Sequence, residues 1–187
     1  MPPVRWLMVL TENDAIVDPR DVGGLVDLAV TAEANGIDGV MISDHVLLGP
    51  SAGANGVMGN LRDYAAPGNQ DPATAWPSSI VLMSAIAQAT SRLRIVSGAI
   101  IAPLRHPLLL AKELGTLDLL SQGRLVVLPT VSWHADEYAA LGIPFAERGA
   151  ILDEQLEVLA KAWGPYPIRH DGPRFGFDDV WLEPGAF

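Results

Sequence analysis

Residues 104–134 read LRHPLLLAKELGTLDLLSQGRLVVLPTVSWH and carry the signals of a helix followed by a strand. Pro107 suits the first turn of a helix, and leucines then recur at three- and four-residue spacing. Gly123 ends that helix, and the apolar run 125–131 is typical of a buried strand in a parallel sheet. The strand leads into Ser132-Trp133-His134, a polar and aromatic tip of the kind that lines the mouth of a parallel barrel.

The same alternation of strand and helix extends along the rest of the chain. Apolar runs at 4–10, 40–42 and 93–101 predict three further strands. Helices are predicted from an Asp18-Pro19 start, from Trp76-Pro77, and along residues 151–163. Such units require a parallel sheet with right-handed crossovers, either an open doubly wound sheet or part of a (βα)8 barrel. The region 166–187, with its turn signal His170-Asp171-Gly172-Pro173, predicts a hairpin instead of a further unit.

Residues 46–76 form a long polar and glycine-rich connection behind the second strand. A loop of this length exceeds the usual connection several-fold, and such loops are more often functional than structural. The sequence therefore predicts a lid or a binding loop in this region.

Length and composition indicate one α/β domain over residues 1–187. Twelve Lys and Arg against 22 Asp and Glu give a net charge of −10, which disfavours nucleic acid and anionic membranes as partners. The lack of cysteine excludes disulfides, thiolate nucleophiles and cysteine-ligated metals. No basic leader and no run of about 18 apolar residues is present, which predicts a cytoplasmic protein without a membrane span.

Four blocks carry a resemblance to a known family: Ser43-Asp44-His45, Leu104-Arg105-His106-Pro107, and the stretches LDLLSQGR at 117–124 and WHADEYAALGIPFAERG at 133–149. The sequence resembles the bacterial luciferase-like monooxygenases, and most closely their coenzyme F420-dependent oxidoreductases. The resemblance implies a (βα)8 TIM barrel with a flavin or deazaflavin at the carboxyl ends of the strands. Such barrels need about 250 residues. We therefore expect a partial barrel, the N-terminal half, with four parallel strands, flanking helices and a C-terminal hairpin.

The resemblance implies that Asp44 and His45 are catalytic residues and that Asp44 also contacts the cofactor. The histidine would take a hydroxyl proton while hydride passes to C5 of the deazaflavin ring. An imidazole suits this role because its ordinary pKa of ~6.5 lies near working pH and a neighbouring carboxylate biases its protonation. The alternative is that Asp44 caps the loop and His45 packs beside it.

Five further residues are expected to bind the cofactor. Ser97, Gly98 and Ala99 correspond to the family's segment with a non-proline cis peptide behind the ring, although a glycine in a strand also marks an ordinary bulge. Thr130 and Ser132 stand in place of a glycine-rich turn, so their hydroxyls are expected to contact phosphate.

Trp133 is the last residue expected at the cofactor site. It stands where the sugar-phosphate dehydrogenases of the family carry an acidic residue, and it either stacks on substrate or ring or closes the barrel mouth. Arg105, His106 and Arg124 are candidates for the acidic tail of F420, although Arg124 also fits a charge at a helix end. No metal site is expected, because residues 134–137 lack a second ligand pair and the family uses no metal.

The resulting hypothesis is an oxidoreductase that moves a hydride between F420 and a small organic substrate. An FMN-dependent monooxygenase is one alternative, and a truncated, noncatalytic or vestigial flavin-binding member is another. A half-barrel exposes strand edges and an apolar inner face, so a homo-oligomer, such as a dimer, is expected. The other expected partner is the small-molecule substrate, with neither nucleic acid nor membrane.

Overall fold

The computed structural model describes residues 4–11, 16–55 and 70–187. Four strands form one parallel sheet in chain order: β1 (Leu7–Val9), β2 (Gly39–Ile42), β3 (Arg94–Ile101) and β4 (Leu125–Thr130). Five α-helices are present in these ranges: α1 (Val22–Ala34), α2 (Ser79–Ala89), α3 (Pro107–Ser121), α4 (Ala135–Ala140) and α5 (Arg148–Ala162). The chain continues into an antiparallel hairpin of β5 (Ile168–Asp171) and β6 (Gly176–Val180). The four parallel strands, flanking helices and hairpin are those that the sequence predicts.

The helix boundaries follow local chemistry, with one correction. Asp21 caps α1, because its side chain accepts the Gly24 amide at 2.9 Å, so the predicted start at Asp18-Pro19 lies outside the helix. Pro107 begins α3, and Gln122 ends it in the left-handed conformation at φ 54°. The short helix α4 has no counterpart in the sequence prediction. None of the helices in the described ranges is long and apolar enough to cross a bilayer.

One face of the sheet is covered by helices and the other is open. Leu125 and Val127 pack against the cluster formed by α3 and α5. The residues that alternate with them on β4 are exposed, Val126 to 39% and Leu128 to 59%. Because side chains alternate between the faces of a strand, these residues define the inner face of a half-barrel. We call it the open face, and its members on all four strands are Leu7, Val9, Met41, Val96, Gly98, Val126 and Leu128.

Arg124 holds the base of the sheet together. Its guanidinium donates to the carbonyls of Ala87 and Leu93 at 2.7 and 3.0 Å, to both oxygens of Thr90, and to the carbonyl of Ser121. The residue precedes β4 and therefore lies at the opposite end of the strand from the polar tip. The expectation that Arg124 meets the tail of a cofactor is wrong, because its donors tie two helix ends to β3.

The connection 46–76 is only partly described. Residues 46–55 and 70–76 are placed, and Gly49 leads into a short 3-10 turn at Pro50–Gly53. Residues 56–69, which carry most of the loop's glycine and polar signals, lie outside the described residues. The predicted lid or binding loop therefore stays a prediction.

Candidate functional site

Four aromatic and imidazole rings meet at the carboxyl ends of β2 and β4. The His45 ring lies 4.8 Å from the Trp76 ring, 6.0 Å from Trp133 and 6.2 Å from His134, measured between centroids. His45 follows β2, whereas Trp133 and His134 form the tip predicted after β4. The parallel register brings these strand ends to one edge of the sheet, so residues distant in sequence share one site.

Three ring nitrogens of this cluster are buried without a hydrogen-bond partner in the described part of the chain. They are Nδ1 of His45, Nε1 of Trp76 and Nδ1 of His134. Buried polar atoms are normally satisfied, so an unpaired group indicates a place where water or a ligand supplies the partner. The nitrogens of Trp76 and His134 make the cluster a candidate for binding a polar group, while Nδ1 of His45 lies 3.2 Å from a carboxylate oxygen of Glu137.

The carboxylate that faces His45 is Glu137, which sequence reasoning did not select. Its Oε2 lies 3.2 Å from Nδ1 of His45, an ion-pair distance without the angle of a hydrogen bond. Its Oε1 accepts the backbone amides of Val46 at 2.8 Å and Leu47 at 3.3 Å, and the side chain is completely buried. The signal that points to Glu137 is its place in the first turn of a short helix next to the predicted tip.

Asp44 is occupied by structural partners. Arg105 binds it with two nitrogens, at 2.7 and 2.9 Å, while the Ser79 hydroxyl and the Ile101 amide donate at 2.7 and 2.9 Å. A carboxylate with two donors on each oxygen has its acceptor capacity filled. This geometry corrects two expectations: Asp44 is not the carboxylate that biases His45, and Arg105 is already neutralised and so is a poor contact for an acidic tail.

His134 and Asp136 hold the loop after β2 together with Glu137. Nε2 of His134 accepts the Gly49 amide at 2.8 Å, and Oδ2 of Asp136 accepts the Ser51 amide at 2.9 Å. An ideal Cβ on Gly49 would lie 2.4 Å from Asp136, so glycine is required for this close approach. Burial lowers the pKa of His134, and the Ser51 bonds lower that of Asp136. His134 is therefore a neutral acceptor and Asp136 an ionised one.

The peptide bond between Gly98 and Ala99 is cis, as the resemblance implied, and the β3–β4 register shifts there. Gly98 lies on the open face, where an ideal Cβ would come within 2.5 Å of Sδ of Met41. Ser97 is completely buried on the helix-covered face with Ile95, and its hydroxyl has no partner within the described residues. The side chain of Ser97 is thus unavailable to a ligand on the open face, which corrects that assignment.

The end of β4 is shaped by local contacts. Ser132 adopts a positive φ of 61°, and its hydroxyl accepts the His134 amide at 3.3 Å and lies 3.5 Å from Glu137. The Tyr138 hydroxyl donates to the Val131 carbonyl, and burial raises the pKa of Tyr138 to about 12. Ser132 is therefore engaged in the turn that begins α4, while the Thr130 hydroxyl, half-buried at the strand end, is the freer of the two predicted phosphate contacts.

His106 and Arg174 make contacts within the fold. Nδ1 of His106 accepts the Leu108 amide at the start of α3, and its ring packs edge-on against Phe175 of the hairpin. Arg174 pairs with Glu147 at 2.9 Å and with Glu154 at 3.6 Å. Neither side chain faces the ring cluster around His45.

A family model described as luciferase-like monooxygenase matches residues 5–186, nearly the whole chain. The chain belongs to this family. The match confirms the resemblance drawn from residues 43–45, 104–107, 117–124 and 133–149, and F420-dependent members are among the luciferase-like relatives found.

One curated luciferase-like relative is the F420-dependent glucose-6-phosphate dehydrogenase of Amycolatopsis mediterranei. It is 31% identical over 167 residues, which are 87% of this chain and 43% of the relative. This chain has Trp133 at the position where the resemblance implies an acidic residue in sugar-phosphate dehydrogenases. The chain spans less than half the length of this relative.

Two solved structures share the luciferase-like fold. An F420-dependent secondary alcohol dehydrogenase in complex with an F420-acetone adduct matches with a TM-score of 0.70 at 19% identity, covering 97% of this chain and 48% of its own. The oxygenating constituent of 3,6-diketocamphane monooxygenase from Pseudomonas putida, in complex with FMN, matches with a TM-score of 0.69 at 21% identity, covering 94% and 43%. These matches confirm the expected partial-barrel fold.

Proposed function

We propose that this protein is an oxidoreductase that moves a hydride between coenzyme F420 and a small organic substrate, with His45 as the residue that takes or returns the proton. The observation that carries the proposal is the position of His45 at the rim of the open face, among rings whose buried nitrogens lack partners. Nδ1 of His45 faces Glu137, so Nε2 is the nitrogen left for a substrate.

The open face suits the planar ring of a flavin or deazaflavin. It is apolar, with the aliphatic side chains of Leu7, Val126 and Leu128 exposed on it. Met41 lies against Gly98, and Val126 and Leu128 extend the same surface toward the edge of the sheet. A bound deazaflavin supplies a ring carbon, C5, that accepts or returns a hydride.

In the direction of alcohol oxidation, Nε2 of His45 would take the hydroxyl proton of the substrate. The C–H bond of the same carbon breaks with its electron pair, which leaves as hydride, and a carbonyl forms. The substrate would thereby be oxidised by two electrons, with a bound deazaflavin as the hydride acceptor. Trp76 and Trp133, which flank His45, are suited to hold an apolar substrate body while Nε2 of His45 meets its oxygen.

Two alternatives use the same surface. An FMN-dependent monooxygenase is supported by the fold shared with an FMN complex. A noncatalytic flavin-binding protein is supported by the exposure of Leu7, Val126 and Leu128 on the open face, because a ring bound there would be covered by the described residues on one side only. Binding of FMN and not F420 would indicate the monooxygenase. Cofactor binding without turnover would indicate the noncatalytic protein.

The test is a fluorescence titration with F420 and, separately, FMN, followed by hydride transfer to F420 from a panel of secondary alcohols. We expect F420 to bind, and His45→Ala to keep that binding while losing about a hundredfold or more in turnover, as removal of a general base does. Leu109→Ala, at a position 65% exposed on α3, is the control and should keep both. Binding of neither cofactor would overturn the proposal, and FMN binding alone would favour the monooxygenase.

A further inference from the structure

Glu137 differs from the other two side chains that hold residues 46–51, because it also reaches His45. His134 and Asp136 each bind one loop amide, whereas Glu137 binds two amides with Oε1 and presents Oε2 to the His45 ring. The double amide contact fixes the carboxylate, so Oε2 is held 3.2 Å from Nδ1 and not free to rotate away. The Ser132 hydroxyl donates to Oε2 only at 3.5 Å, the outer limit of a hydrogen bond, so this completely buried carboxylate still needs a closer proton donor opposite it.

We infer that Glu137 is a positioning residue for His45: it holds the proton of the neutral ring on Nδ1 and so leaves the lone pair of Nε2 toward the substrate. Nδ1 is buried and has no hydrogen-bond partner within the described ranges, so Glu137 is the acceptor it can use after a small rotation. The partner of one ring nitrogen determines which tautomer a histidine adopts. The inference rests on the proposed role of His45 as the base.

The other titratable neighbours of His45 do not compete for this role. His134 accepts the Gly49 amide with Nε2, and burial lowers its pKa, so it carries no charge at neutral pH. Asp44 is adjacent in sequence but is neutralised by Arg105. Of the described residues packed around the ring, Glu137 is therefore the one that presents an unneutralised charge to it.

The arrangement also stabilises the ring once it has taken the proton. When Nε2 takes a proton from substrate, the ring becomes positively charged in a mostly buried site. The carboxylate of Glu137 lies directly behind that charge and stabilises it, while the amides of Val46 and Leu47 keep the carboxylate in place. Asp136, with its side chain 30% exposed and bonded to Ser51, makes no such contact.

The test is the tautomer of His45, read from nitrogen-15 NMR of the protein without cofactor at a pH where the ring is neutral. The His45 signals are those absent from the spectrum of His45→Ala. We expect the Nδ1–H tautomer in the wild type. In Glu137→Gln, the amide oxygen can keep the two loop amides while its NH2 group faces Nδ1, so the ring should change to the Nε2–H tautomer.

Asp136→Asn is the matched control, since it alters the neighbouring loop contact without touching His45, and it should keep the Nδ1–H tautomer. An Nε2–H tautomer in the wild type, or an unchanged tautomer in Glu137→Gln, would overturn the inference. The wild-type spectrum alone decides the question if Glu137→Gln does not fold. Because no cofactor or substrate is present, failure of the proposed reaction would leave this result intact, and failure of this result would leave cofactor binding open.

Discussion

Replacing Asp44 with asparagine should destabilise the protein strongly, because it leaves the Arg105 guanidinium without its counter-ion. Arg105 is only 17% exposed in its side chain and Asp44 only 1%, so solvent offers little compensation. Each oxygen of Asp44 accepts two donors. An asparagine keeps one oxygen and places an NH2 group against the other two donors, whichever way it is oriented.

The expected loss follows from these contacts. Two hydrogen bonds to a charged acceptor are lost, at about 1.5–3 kcal/mol each, and breaking a buried ion pair by removing one partner costs about 3–5 kcal/mol. These figures describe the same interaction and are not added. We therefore expect Asp44→Asn to lower the free energy of unfolding by about 4 kcal/mol. Asp18→Asn, at a 61% exposed carboxylate paired with Arg20 at 3.6 Å, should cost less than about 1 kcal/mol.

The assay is urea unfolding followed by tryptophan fluorescence, at one protein concentration for all variants. Arg105→Met and the double variant complete a double-mutant cycle. The double variant should lose at least about 2 kcal/mol less stability than the two single losses added together. A loss below about 1 kcal/mol for Asp44→Asn, with additive single changes, would refute the argument that this pair holds the end of β2.

Three other outcomes follow from the structure. Arg124→Met should lower the free energy of unfolding by about 3 kcal/mol, because several carbonyls lose a charged donor, while the exposed Arg20→Met should change it by less than about 0.5 kcal/mol in the same urea assay. Burial opposes ionisation of Glu154, but hydrogen bonds from the hairpin outweigh it and hold its pKa below the ordinary 4.5. The ionised Glu154 therefore stabilises the fold above pH 4.5, and this stabilisation is lost as pH falls through the lower pKa of the folded state. Glu154→Gln should make the free energy of unfolding fall less steeply with decreasing pH. An equally steep fall would contradict this. The exposed apolar open face should make the 187-residue chain self-associate, and Leu7→Glu should reduce the mass measured by light scattering; a wild-type monomer would refute the expected oligomer.

The fold was predictable where strong local signals coincide. Pro107, the leucine spacing and Gly123 all predict α3, and the apolar run after them predicts β4. The start of α1 was misplaced because Asp18 and Asp21 are both plausible caps, and only the contact of Asp21 with the Gly24 amide distinguishes them. The helix α4 was missed because six residues have little helical stability of their own, and its first turn is held by the loop after β2.

The site was half predictable from sequence. His45 and Trp133 were found because they sit at strand ends, and the structure brings them together. The partner of His45 was misassigned because Asp44 is adjacent to it in sequence. Neighbouring residues leaving a strand point in different directions, so Asp44 turns to Arg105 while His45 turns to Glu137. A contact between residues so far apart in the chain depends on how strand ends meet, which no local pattern encodes.

The central claim is that the open face binds the ring of a deazaflavin or flavin, and F420 affinity of a variant on that face tests it most directly. Leu128→Glu places a carboxylate where a ring would lie, and should weaken F420 binding by about tenfold or more in a fluorescence titration. Val81→Glu, at a position 66% exposed on α2 and comparable to the 59% of Leu128, should bind as the wild type does. Equal affinity of Leu128→Glu and the wild type would contradict the account.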